Sequence, residues 1–183
     1  MAGRPRAFDR DQALLVAMEK FWRDGYEATT ISALTSAMGI TPPSLYAAFG
    51  DKDRLFAAAS ALYVDGITAQ VEKALALPTL REAITEMLVL TAAAQSDDGS
   101  PAGCFLATEP RLARERAALR ERVARRIARA VRDGDVAPDT DPEQLAAFVM
   151  AVHTGLSSRA RDGATTDELM AIVQVALGAL PHA

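Results

Sequence analysis

The chain has 183 residues, a net charge of −4, a sequence pI of about 5.2, 50% hydrophobic and 5% aromatic content. That length fits one medium domain or two small ones sharing a core, and the acidic balance excludes a protein coated in positive charge. A single cysteine, Cys104, excludes an intramolecular disulfide and fits a reducing compartment. With no apolar signal region at the N-terminus and no apolar run near the roughly 20 residues that span a bilayer, the expectation is a soluble, cytoplasmic protein with no membrane partner. Ala, Leu and Arg are abundant and no run of alternating β-branched residues occurs, so an all-α fold is predicted.

Residues 1–8 read as an arm in which Arg4 and Arg6 flank Pro5. Two readings stand: an arm that reaches the minor groove or phosphates, or a solvated terminus. A first helix is predicted from Asp9 or Arg10 to Arg23, with Ala13, Leu14, Ala17, Met18, Phe21 and Trp22 as its apolar stripe and Gly25 as its stop. Thr30 then caps a short helix over Ile31–Met38, whose apolar face is Ile31, Leu34 and Met38. Gly39 ends it. Thr41 caps the next helix, Pro42 takes its first position, and Leu45 and Phe49 form its apolar side up to Gly50. Two short helices around a Gly-containing turn are the helix-turn-helix pattern, whose second helix enters the DNA major groove. The outward residues of that second helix are Thr41, Pro42, Pro43, Ser44, Tyr46 and Ala47. None is Arg, Lys, Asn or Gln, so base reading there rests on hydroxyl contacts, thymine-methyl contacts and DNA shape.

Gly25-Tyr26, Thr29-Thr30-Ile31, Ala37-Met38-Gly39-Ile40, and Ser44-Leu45-Tyr46 followed by Phe49, Lys52 and Leu55 stand in order at one spacing. In these residues the first third of the chain resembles the TetR/AcrR family of transcriptional repressors. The resemblance implies a three-helix DNA-binding head, a long fourth helix and a C-terminal bundle that binds effector and dimerises, about nine helices in all. It implies that Tyr46 and Lys52 contact backbone phosphate, that Thr30 and Ser32 touch the backbone at the start of helix 2, and that helix 4 transmits ligand state to the head. The expected division is 1–50 for the DNA-binding domain and 51–183 for the effector and dimerisation domain. Against a DNA role, residues 1–56 hold Arg4, Arg6, Arg10, Lys20, Arg23, Lys52 and Arg54 against Asp9, Asp11, Glu19, Asp24, Glu27, Asp51 and Asp53. The head is therefore neutral, and its affinity depends on how the charges are arranged.

Asp51 caps a fourth helix, which starts near Lys52 and continues to about Leu75. Pro78 breaks the chain, and helix 5 covers about Leu80–Ala94. Ser96–Gly103 is a loop by composition, and a short apolar helix precedes Pro110. Residues 111–132 read as a long helix with an apolar stripe and a solvated charged face; a nucleic-acid surface is the alternative. Helices over about 142–160 and 166–179 carry apolar surface beyond what one core needs, which reads as a homodimer interface or as closure of the core.

The only histidines are His153 and His182, and no His/Cys cluster, phosphate loop or nucleophile triad is present. The sequence therefore predicts no catalytic residues, no metal site, no cofactor and no enzyme. Candidates for an effector pocket are Tyr63, Met87, Thr91, Cys104, Phe105, Thr108, Phe148 and His153. His153 reads either as an interior or interface histidine or as a ligand contact, and Cys104 as inert packing or a redox sensor. The predicted function is a repressor that binds a palindromic double-stranded DNA operator as a homodimer and is released by a small apolar effector. The alternative is a small-molecule-binding or scaffold protein that has lost DNA binding.

Overall fold

The computed structural model describes residues 8–95 and 99–181, so Arg4, Arg6 and His182 lie outside the described residues. Among the described residues there are nine α-helices, one 3₁₀ turn and no strand. They are α1 (Arg10–Ala28), α2 (Ile31–Met38), α3 (Pro42–Phe49), α4 (Lys52–Leu75), α5 (Leu80–Gln95), α6 (Phe105–Thr108), the 3₁₀ turn Pro110–Leu112, α7 (Ala113–Asp133), α8 (Pro142–Arg161) and α9 (Thr166–Gly178). The chain forms two compact units that divide at Tyr63/Val64, inside α4. Residues 51–63, assigned from sequence to the second domain, thus belong by packing to the first. The cause is apolar: Leu55, Phe56 and Ala59 are buried in the core of that first unit.

The first unit is organised around three rings. Phe56 meets Phe21 edge-on at 5.2 Å between centroids and Tyr26 at 5.0 Å, and Phe21 stacks on Tyr26 at 6.1 Å. Leu34, Leu45 and Leu55 are fully buried. The backbone of α1 leaves helical geometry at Gly25, with φ 77°, a conformation that favours glycine. The predicted stop is therefore real, but one more turn follows it to Ala28. The Thr29 hydroxyl donates to the Gly25 carbonyl at 2.6 Å and holds that turn in place. Trp22 packs edge-on against Tyr63 at 4.9 Å.

The second unit packs α7 on α8, both α8 and α9 on α5, and α6 on α7 and α8. Its core includes Leu80, Ile84 and Leu88 of α5, Phe105 and Leu106 of α6, Val123 and Ile127 of α7, Val149 and Leu156 of α8, and Leu169 and Val173 of α9. Two polar devices fix its elements. The first joins three helices: the buried Arg126 of α7 donates to the carbonyls of Leu75 (3.0 Å), Leu77 (3.1 Å) and Pro78 (3.1 Å) at the end of α4. Asp135, 3.9 Å from Arg126, accepts the Leu80 amide at the start of α5 at 2.5 Å. The second docks α6 on α8, where the Cys104 amide donates to the fully buried Ser157 hydroxyl at 2.7 Å. Gly103 allows the approach, because a Cβ there would sit 2.9 Å from the Ser157 carbonyl oxygen and 2.6 Å from Arg161 Cγ.

A buried acceptor that loses its donor carries its full desolvation cost. Arg126→Met removes the donor to three carbonyls and should lower the urea-unfolding free energy by about 2–4 kcal/mol. Arg125→Met one position earlier, where the guanidinium is exposed and pairs with Glu121 at 2.8 Å, should stay within about 0.5 kcal/mol of the parent.

Candidate nucleic-acid interface and effector region

The helix-turn-helix is built from local caps. Thr30 Oγ1 accepts the Ala33 amide at 3.1 Å and starts α2. Gly39 takes the left-handed conformation, φ 65°, and the Ile40 amide reaches back to the Thr35 carbonyl at 3.0 Å to close the helix. Thr41 then caps α3: its Oγ1 accepts the Ser44 amide at 3.4 Å and lies 2.9 Å from the Ser44 hydroxyl. Leu45 and Phe49 are buried, which turns the opposite face of α3 outward. On that face Thr41, Pro42, Pro43 and Tyr46 are exposed and Ser44 is half-buried; Thr30 and Ser32 are exposed at the start of α2. Arg10 closes the other end of α3, with its Nε donating to the Ala48 carbonyl at 3.5 Å and its guanidinium 4.8 Å from the Phe49 ring centre.

Lys52 opens α4. Its Nζ stands 4.0 Å over the centre of the Tyr26 ring, and the Tyr26 hydroxyl donates to Asp53 Oδ1 at 2.7 Å. The start of α4 is capped by the protein itself, since Asp51 Oδ1 accepts the Arg54 amide at 2.8 Å. Sequence reasoning named neither Tyr26 nor Arg10 as part of this face. No local spacing links Tyr26 to Lys52, or Arg10 to Ala48.

The eight residues grouped from sequence as an effector pocket have different surroundings. Tyr63 packs on Trp22 in the first unit. Phe148 points outward, with 38% of its surface exposed. Met87, Cys104 and Phe105 are core. Thr91 and Thr108 donate their hydroxyls to their own helices, to the carbonyls of Met87 (2.8 Å) and Cys104 (3.0 Å). His153 is buried, and its Nδ1 has no hydrogen-bond partner, as is also true of Glu115 Oε2. Desolvation pushes the His153 pKa down from 6.5 to about 4, so the ring is neutral at pH 7. A groove of about 980 Å³ opens instead on the other face of α5, lined by Gln70, Lys73, Ala74 and Leu77 of α4 and the turn after it, Glu86, Leu90, Ala93 and Ala94 of α5, and Thr166. Met87 lies on the core side of α5, whereas the groove runs along the open side.

Comparison with known proteins places both units. A family model described as bacterial regulatory proteins, tetR family, matches residues 13–59, and one described as the tetracyclin repressor-like C-terminal domain matches residues 76–175. The chain is 33% identical to the HTH-type transcriptional repressor ComR of Escherichia coli (strain K12), over 98% of this chain and 92% of that protein. It is 32% identical to the HTH-type transcriptional repressor BdcR of the same organism, over 95% and 90%. Among solved structures it superposes with a TM-score of 0.92 on a cysteine-substituted TetR family transcriptional regulator, CifR, complexed with a 26-base-pair double-strand operator DNA. That match has 41% identity and covers 98% of this chain and 100% of that one.

His153 gives a measurable signature of its burial. Its folded pKa lies below the unfolded value, so the unfolded state binds the proton first. Stability is full above about pH 6.5 and falls as the pH drops toward 4, by up to about 3 kcal/mol. Glu82 and Glu168, whose pKa values are lowered by hydrogen bonds from Thr79 and Thr165, add a loss at lower pH. Urea denaturation at a series of pH values should show the loss between pH 6.5 and 4 shrink in His153→Leu while the lower limb persists.

Proposed function

Because the chain belongs to the tetR family of bacterial regulatory proteins, we infer that it is a transcriptional repressor that binds a palindromic double-stranded DNA operator as a homodimer and is released by a small, largely apolar effector. The observation that carries this reading is the full-length match to regulators, one of them on operator DNA, joined to a capped helix-turn-helix whose α3 turns an uncommitted face outward. In this reading Thr41, Pro42, Pro43 and Ser44 meet base edges through hydroxyl and apolar contacts. Tyr46, Lys52, Thr30 and Ser32 contact phosphates and fix register, and Arg4 and Arg6 extend the contact from the N-terminal arm.

The partner surface is the outer face of α8 and α9. Ala147, Phe148, Ala151, Thr154 and Gly155 are exposed on α8, and Ala171, Val175 and Gly178 on α9. A Cβ at Gly155 or Gly178 would meet nothing within 4 Å, so packing within one chain does not require glycine there. Close approach of a second copy does, and Val175, 78% exposed, is an apolar side chain without another use in the monomer. The groove between α4 and α5 is the effector's entry to the second unit. Release requires that the effector bind the DNA-free geometry more tightly than the DNA-bound one; equal affinity shifts nothing.

A genomic-fragment binding selection with purified protein at two salt concentrations tests the reading. One enriched palindrome, bound more weakly at high salt, with half-sites about 34–36 Å apart or a modest extension of that, is the expected result. No enrichment at either salt would favour a binding protein without DNA activity. Lys52→Glu should weaken binding to every duplex and flatten the salt dependence, whereas substitution at Ser44 should change the preferred sequence. For assembly, Val175→Glu should convert the dimer to monomer in sedimentation velocity with the helical signal unchanged; a persistent dimer would move the interface off α9.

A further inference from the structure

The charges around Lys52 are arranged with a purpose that the head's neutral sum conceals. Lys52 lies between two carboxylates, Asp51 and Asp53, and either would cancel it. Each accepts a hydrogen bond from another group. Asp51 accepts the Arg54 amide at 2.8 Å and lies 3.6 Å from Arg54 Nε. Asp53 accepts the Tyr26 hydroxyl at 2.7 Å. The Lys52 ammonium stands over the face of that same Tyr26 ring at 4.0 Å.

We propose that Tyr26 is a positioning residue for DNA binding: its ring face carries the Lys52 ammonium, and its hydroxyl holds the Asp53 carboxylate away, leaving the lysine charge for a DNA phosphate. This rests on the reading of Lys52 as a phosphate contact. A ring attracts the cation without neutralising it, because a quadrupole carries no net charge. The N–H groups directed away from the ring keep their capacity to donate. The ring is itself fixed: 8% of its surface is exposed, Phe56 meets it at 5.0 Å and Phe21 at 6.1 Å. Gly25, at φ 77°, sets the backbone that turns it inward. A neutral head thereby presents at one defined place a cation whose contact is a ring face, and a phosphate that meets it releases counterions.

The test uses the full chain and a fluorescein-labelled duplex of arbitrary sequence, titrated by anisotropy over a range of NaCl concentrations. The variants are Lys52→Ala, Tyr26→Phe, Asp53→Asn and the Tyr26→Phe/Asp53→Asn pair. Tyr26→Phe keeps the ring and removes only the hydroxyl; thermal melts check that the head is folded. Lys52→Ala should reduce the slope of log affinity against log salt by about 0.9 for each phosphate that is no longer neutralised. Tyr26→Phe should weaken binding about threefold or more and lower the slope in the same direction, because Asp53 is freed to pair with Lys52. Adding Asp53→Asn should restore both, with a gain clearly larger than the same change gives in the parent. In the parent, where Asp53 is already held, Asp53→Asn should shift affinity by less than about twofold through screened long-range charge alone.

A merely structural tyrosine would not give that rescue. Equal gains from Asp53→Asn in both backgrounds, or parental affinity and slope in Tyr26→Phe, overturn the role of Tyr26 while leaving Lys52 as a contact. An unchanged slope in Lys52→Ala overturns the phosphate assignment itself and the Tyr26 role with it. If the Tyr26→Phe head melts early, the parent decides: a gain from Asp53→Asn as large as the loss from Lys52→Ala means that Asp53 already quenches the lysine, and the proposal fails.

Discussion

A helix that ends inside a protein leaves its last carbonyls without amide partners, and burial makes that costly. The second unit is built on its answer to this constraint. The chain leaves α4 through Leu75–Pro78 and enters α5 at Leu80, and both ends are met from α7 and the turn after it, by Arg126 on the carbonyls and Asp135 on the amide. Arg129 adds a bond to the Leu75 carbonyl at 3.1 Å. The arginine-rich stretch that suggests nucleic acid in the sequence is thus partly explained by the backbone. Arg122 pairs with Glu72 at 2.6 Å and Arg125 with Glu121, so part of the remaining charge is balanced by carboxylates. Without this junction the open face of α5 and the end of α4 would have no fixed relation, and the groove along them no defined shape.

Much of the fold was legible because its punctuation is local. Thr30, Gly39, Thr41-Pro42 and Gly50 each act within a turn of where they stand, and α2 and α3 begin and end where those residues say. The end of α1 was less legible. Gly25 does break the helix, but a hydroxyl four residues on pulls the chain into another turn, a compensation invisible to a stop signal. The compact units divide at Tyr63/Val64 rather than at the expected 50/51 for a related reason. Caps mark where helices start, whereas compact units are set by which apolar side chains meet, and Phe56 meets Phe21 and Tyr26 from inside α4.

The two sites differ in the same way. The outward face of α3 could be read from sequence, because Leu45 and Phe49 fix the inward one by periodicity alone. The groove along α5 could not. An amphipathic pattern tells a buried stripe from a solvated one, but a groove opens along neither in a marked way. Met87 and Leu90 are near neighbours on α5, yet one is core and the other lines the groove. Polar candidates were no better guides: Thr91 and Thr108 look available in sequence and are tied to their own helices. Contacts across 27 residues, as between Tyr26 and Asp53, leave no trace in local spacing.

The approach of Gly103 to Ser157 carries a historical consequence. The amide after Gly103 donates to one hydroxyl, and the approach that brings it there has no room for a methyl group. A lineage that replaced Ser157 with alanine would strand that amide in the core. One that gave position 103 a side chain would drive α6 off α8 and break the same bond. Either change alone breaks the same contact, so the two positions are physically coupled. An exposed position such as Arg125 carries no such tie, because its ion pair with Glu121 lies within α7 itself.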